Sequence, residues 1–78
     1  MEDFKVTLDS IEAVKEFVAL TNSYPFEIDL VSGRYAVDAK SIMGIFSLDL
    51  SKALKLVVHA DDAESAPFLK KAEKFAAK

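Results

Sequence analysis

The chain has no cysteine and no tryptophan, and only one histidine, two glycines and two prolines in 78 residues. Without cysteine there is no disulfide framework, no zinc–thiolate site and no cysteine nucleophile. A secreted domain of this size ordinarily relies on disulfide staples, so their absence points to a reducing compartment. No run approaches the ~20 apolar residues of a membrane span. Met1-Glu2-Asp3-Phe4-Lys5 lacks the basic and then apolar segments of a signal peptide. The expected location is therefore cytoplasmic, away from membranes. One histidine without cysteine is a poor basis for a metal site, which takes several ligands, and no motif calls for a cofactor.

What is present favours folding. Hydrophobic residues make up 51% and charged residues 29% of the chain, unlike the charge-rich, apolar-poor composition of disordered chains. One core is all this length supports, and with no repeat or linker the expectation is a single domain over residues 1–78. The net charge of −3 argues against nucleic acid, whose binders carry a basic patch. The bases are dispersed except for Lys70, Lys71, Lys74 and Lys78, which suit the negative end of a helix. A small acidic monomer is expected.

Phe4-Lys5-Val6-Thr7-Leu8 alternates apolar and polar, as a half-buried strand does. Asp9 or Ser10 then offers an N-cap, with Glu12 placed for a capping box behind Asp9. Ile11, Val14, Phe17, Val18 and Thr21 follow at helical spacing, and Pro25 ends that helix by restricting Tyr24. Phe26, Ile28 and Leu30 alternate in a second strand. Ser32-Gly33 forms a turn, and Arg34 to Asp38 returns as a short third strand. Ala39 to Ser47 reads as a short helix. Leu54, Leu56, Val58 and Ala60 form the apolar side of a fourth strand, ended by Asp61-Asp62. A last helix is expected from Ala63 or Ser65 to Ala76, with Ser65 as cap and Pro67 in the first turn. The order is β-α-β-β-α-β-α. Each strand has one apolar face and each long helix one stripe, so the fold class is α+β: a four-stranded antiparallel sheet with three helices on one face and solvent on the other.

The segment Lys40-Ser41-Ile42-Met43-Gly44, with Ser47-Leu48 and Leu50 after it, resembles the regulatory segment of HPr, the histidine-containing phosphocarrier family of the bacterial sugar phosphotransferase system. Phe17-Val18 and Glu27-Ile28 also sit where similar residues occur in that family. The order of elements agrees over nearly the whole chain. The resemblance implies an HPr-like open-faced sandwich. It also implies that Ser41 stands where HPr carries its regulatory serine, the target of an ATP-dependent HPr kinase/phosphorylase, and that Ile42, Met43 and Phe46 lie on a partner-docking surface.

The resemblance fails where HPr carries its phosphorylatable histidine, followed by Thr, Arg and Pro, between the first strand and first helix. Here Leu8 runs through Asp9-Ser10-Ile11-Glu12-Ala13 straight into the helix, with no His, Arg or Pro. Imidazole-borne transfer needs the imidazole, together with backbone donors and a cation for the phosphate. His59 falls in the fourth strand, on the face of Lys55 and Val57, where an exposed cross-strand polar residue is the plainer reading. Ser41 has two compatible roles, as a helix cap and as a phosphorylation site whose added charge would fall beside Ile42, Met43 and Phe46. Ile42 or Ile45 is expected in the core, leaving Met43 as the exposed contact. Asp9 and Ser10 are potential acceptors, with capping as the commoner role. No carboxylate pair suggests acid–base work, so no enzyme activity is expected.

These readings lead to an HPr-like regulatory or binding module without histidine phosphocarrier activity. The resemblance implies partners that recognise HPr: the kinase/phosphorylase, a carbon-catabolite transcription regulator, or a sugar-pathway enzyme. The alternative is an active phosphotransfer intermediate that uses Asp9 or Ser10. A structural remnant without modification is a third reading.

Overall fold

A computed structural model describes residues 4–77; the readings made on Met1, Glu2, Asp3 and Lys78 lie outside the described residues. The elements are β1 (Phe4–Val6), α1 (Ile11–Asn22), β2 (Glu27–Ser32), β3 (Tyr35–Asp38), α2 (Ile42–Phe46), β4 (Leu54–His59) and α3 (Asp62–Ala72), followed by a 3-10 turn over Glu73–Phe75. The strands form one sheet in the order β1-β4-β2-β3, and every neighbouring pair is antiparallel. The α+β architecture expected from the sequence is the one observed.

Alternation explains the layers. Leu54 and Leu56 of β4, Ile28 and Leu30 of β2 and Val6 of β1 are buried on one face of the sheet. Val14 and Phe17 of α1, Ile45 of α2 and Phe68 and Ala72 of α3 close over them. Lys5, Lys55, Val57, His59, Glu27 and Asp29 alternate onto the opposite, open face. Aromatic edges fill the ends of the core: Phe17 meets Phe75 in a T-shaped contact at 5.3 Å, and Tyr24 meets Phe68 at 5.4 Å.

The structure settles one choice left open by the sequence and differs from the expectation in three details. Ser10, rather than Asp9, caps α1, its hydroxyl accepting from the Ala13 N–H at 3.0 Å. Ile11, placed on the apolar stripe by spacing alone, is 63% exposed. At 3.6 residues per turn it lies about 120° around the helix from Phe17. α2 begins at Ile42, not Ala39, because the sheet ladder claims Ala39, whose N–H donates to Ile28 O at 2.8 Å. The last helix starts at Asp62, one residue before Ala63 and about a turn before the Ser65 alternative. Asp61 caps it, accepting from Glu64 N–H at 2.7 Å, and Asp62 and Glu64 put negative charge on its first turn. Ser65 is instead buried within the helix, and Pro67 lies inside it.

The end of the chain finishes the sheet edge. Thr7 N–H donates to Phe75 O at 2.8 Å, Ala77 N–H donates to Lys5 O at 2.9 Å, and Val6 bridges to Ala76. The outer edge of β1 is thereby covered. β3, at the other end of the sheet, has β2 alone beside it.

Candidate functional site

Ser41 stands where the chain turns from β3 into α2. Its backbone is extended (φ −105°, ψ 112°), its carbonyl accepts from Ile45 N–H at 3.1 Å, and its hydroxyl accepts from Gly44 N–H at 3.2 Å. It is therefore the N-cap of a five-residue helix. Gly44 keeps the space beside that hydroxyl open. A Cβ built there would lie 3.4 Å from both Ser41 Oγ and Val37 Cβ, room for a methyl group and little more.

The approach to Ser41 is held from several sides. Ser41 N–H donates to Asp38 O at 3.0 Å, and Lys40 N–H donates to Asp38 Oδ1 at 2.8 Å. Lys40 Nζ donates to Tyr24 O at 2.7 Å. Asn22 Nδ2 donates to Lys40 O at 3.2 Å, and the buried Thr21 hydroxyl faces Ala39 O at 2.8 Å. The end of α1 thus grips residues 39 and 40 by side-chain bonds, and Ser41 follows from a fixed platform.

α2 divides its apolar residues between core and surface. Ile45 is fully buried, Ile42 is half-buried against the core, Met43 is 77% exposed and Phe46 is 42% exposed. Phe46 also lines a groove of ≈390 Å³ with Leu8, Asp9, Ser10, Ile11, Leu50 and Ser51. The start of α1 and the end of α2 therefore share one concave surface. The sequence reading placed Phe46, Asp9 and Ser10 near function but missed Ile11, Leu50 and Ser51. For Ile11 the helical phase was the available signal.

Beyond α2 the groove wall is set by a short polar turn. Asp49 Oδ1 accepts from Ser51 N–H at 3.0 Å and from Ser51 Oγ at 2.6 Å. The Ser51 hydroxyl, then its backbone N–H, hold the Asp49 carboxyl below its ordinary value, with nearby Lys52 adding to them.

His59 lies elsewhere. Val6 pairs with Leu54, so the chain leaves β1 toward Asp9 at the Leu54 end of β4. His59 is five residues along, roughly 16 Å at strand rise, on the open face of the sheet. Its Nε2 is 2.7 Å from Asp29 Oδ2, and Glu27 is its register partner. Among the described residues no group of three or more His, Cys, Asp or Glu is placed to hold a metal ion, and no helix is long and apolar enough to cross a membrane.

The family described as "PTS HPr component phosphorylation site" matches residues 11–78. The crystal structure of HPr-C-His from Thermoanaerobacter tengcongensis superposes with a TM-score of 0.73 at 26% identity, over 95% of this chain and 92% of that one. No curated protein matches the sequence. A family match over most of the chain, joined to the fold of a solved HPr with the same four-stranded sheet and three helices, establishes that the chain belongs to the HPr family of the phosphotransferase system.

Proposed function

We propose that this HPr-family chain is a regulatory, protein-binding module of the phosphotransferase and carbon-control network, without histidine phosphocarrier activity and without enzyme activity of its own. One observation carries the reading. The connection from β1 to α1 offers Asp9 and Ser10 but no imidazole, and the chain's one histidine is at the far end of β4, paired with Asp29 on the open face.

Regulation falls to Ser41. Its hydroxyl attacks the γ-phosphorus of ATP bound to an HPr kinase/phosphorylase, the hydroxyl proton passes to a base of that enzyme, and ADP leaves. The phosphoester adds about −1.5 to −2 charge beside Ile42 and Met43. An apolar partner is thereby disfavoured and an arginine-bearing one invited. The docking surface is Ile42, Met43 and Phe46, continued by the groove that reaches Ile11. The partners are proteins that recognise HPr: the kinase/phosphorylase, a catabolite-control regulator and sugar-pathway enzymes.

Transfer through Asp9 or Ser10 has less support. No cationic side chain that could hold a phosphate lines the groove beside either residue.

Intact mass after incubation with HPr kinase and ATP tests the switch. One added phosphate, absent in Ser41→Ala and stable to acid, is expected. A phosphate that persists in Ser41→Ala, or none in either protein, contradicts the assignment.

A further inference from the structure

The two edges of the sheet are unlike. β1 is covered by residues 75–77 of the same chain, whereas β3 closes the other side with nothing paired beyond it. Natural sheets usually protect such an edge with a very short strand, charged side chains, proline, a bulge or a covering segment. β3 reads Tyr35-Ala36-Val37-Asp38 and has regular one-to-one register with β2. It is short, at four residues, and carries Asp38, but it has no lysine, no proline and no bulge.

The ladder fixes which groups the edge presents. Ser32 and Tyr35 flank the two-residue turn, where Gly33 holds φ +59° and is the one residue with positive φ among those described. That is the pattern of a type II′ hairpin, whose flanking pair exchanges both backbone bonds. Alternation then turns Tyr35 and Val37 toward β2 and Ala36 and Asp38 outward. Two bonds agree with this. Ala39 N–H, in phase with Tyr35 and Val37, reaches Ile28 O, and Asp38 O, in phase with Ala36, accepts from Ser41 N–H instead. Ala36 therefore points both its N–H and its C=O away from the sheet, and its methyl side chain is no obstacle to approach.

The side chains along this edge are self-complementary. Two copies related by a two-fold axis through Ala36 pair antiparallel. Ala36 then faces its own counterpart, Tyr35 faces Val37, and Arg34 faces Asp38 of the second copy. The two Ala36 residues exchange N–H···O=C bonds in both directions. Both Arg34–Asp38 pairs join opposite charges, and Arg34 has no ion-pair partner among the described residues. Tyr35, 73% exposed in the isolated chain, gains a cross-strand neighbour. We infer that β3 is a self-association edge through which two copies of this chain join their sheets into one eight-stranded sheet. The interface is isologous, so it closes at two copies. The monomer expected from the sequence is then the dilute form. This inference is independent of the role assigned to Ser41.

Sedimentation velocity on the full chain, over about 10 μM to 1 mM, reads the association directly, since so small an interface belongs to the weak class. Reversible dimerisation is expected, weakened at least tenfold by Ala36→Pro, which removes the outward N–H and is tolerated on an edge. Arg34→Asp alone and Asp38→Arg alone each set like charges opposite one another and should each be monomeric. Mixed one to one, the doubly acidic edge of the first variant meets the doubly basic edge of the second, and dimers should return. Circular dichroism checks that each variant folds. A dilution series of the unmodified chain by NMR needs no variant at all, and its shifts should centre on the Tyr35, Ala36 and Val37 amides. A wild type that stays monomeric to 1 mM, a dimer untouched by Ala36→Pro, dilution shifts centred on Met43 and Phe46, or a mixture no better than its components would each overturn the inference.

Discussion

The hydroxyl of Thr21, fully buried near the end of α1, lies 2.8 Å from the carbonyl oxygen of Ala39 and 3.0 Å from that of Val18. It ties the first helix to the residues that lead into Ser41. Its one proton serves two carbonyls in a dry setting, where an unmet acceptor is costly. Thr21→Val keeps the shape and removes the donor. The expected loss is about 1–3 kcal/mol in urea unfolding, with faster amide exchange at Ser41 and Ile42. Thr21→Ser restores most of both.

Capping and phosphorylation at Ser41 separate by substitution. Ser41→Ala removes the acceptor for Gly44 N–H and costs about 1 kcal/mol. Ser41→Asp retains a good cap and adds charge, so its unfolding midpoint should stay close to wild type while binding of an apolar partner falls. A Ser41→Asp protein as unstable as Ser41→Ala contradicts the cap geometry.

Gly44 is expected to behave differently in stability and in modification. It has negative φ, and a Cβ there makes ordinary contacts at 3.4 Å. Gly44→Ala should thus be neutral or stabilising, by up to about 1 kcal/mol from helix propensity. The same methyl narrows the space beside Ser41 Oγ, so phosphorylation by the kinase should slow. Thermal unfolding and the rate of mass gain measure the two effects.

Within α2, Ile45 and Met43 should part company. Ile45→Ala opens a cavity in the core and costs about 2–5 kcal/mol. Met43→Ala removes an exposed side chain, so stability should move by no more than about 0.5 kcal/mol. Affinity for an HPr-recognising partner, read by calorimetry, should drop at least tenfold with Met43→Ala, and fall also with Ile11→Ser in the adjoining groove.

Asp49 gives a pH signature. Its folded carboxyl titrates below the ordinary value of 3.8 because Ser51 bonds the charged form. A depressed carboxylate contributes stability above its unfolded value and loses it as pH falls through the folded one. The turn beside the groove should thus hold at neutral pH and loosen only below pH 3.8. In an NMR titration the Asp49 carboxyl carbon should show a midpoint below that value, and Ser51→Ala should move it back up.

Much of the fold was legible because each strand is half-buried. Alternation exposes Ile28, Leu30, Leu54 and Leu56 as one face, and the i, i+3, i+4 spacing of Val14, Phe17, Val18 and Thr21 marks the buried side of α1. The boundaries were less legible where two residues compete for one role. Asp61 and Ser65 both suit an N-cap, and Pro67 favoured the later one. The covering of β1 by residues 75–77 could not be read, since nothing local marks a pairing between chain segments so far apart. The groove was missed for the same reason. Leu8 and Ile11 reach Phe46 and Leu50 only once the sheet order brings α1 beside α2.

The most direct test of the central claim is incubation with enzyme I and phosphoenolpyruvate, followed by intact mass at neutral pH and after mild acid. No added phosphate is expected, because the connection from Leu8 to Ile11 carries no imidazole and His59 lies at the opposite end of β4. An acid-labile phosphate gained from enzyme I, whether lost in His59→Ala or in Asp9→Asn, would contradict the account and restore a carrier role to this chain.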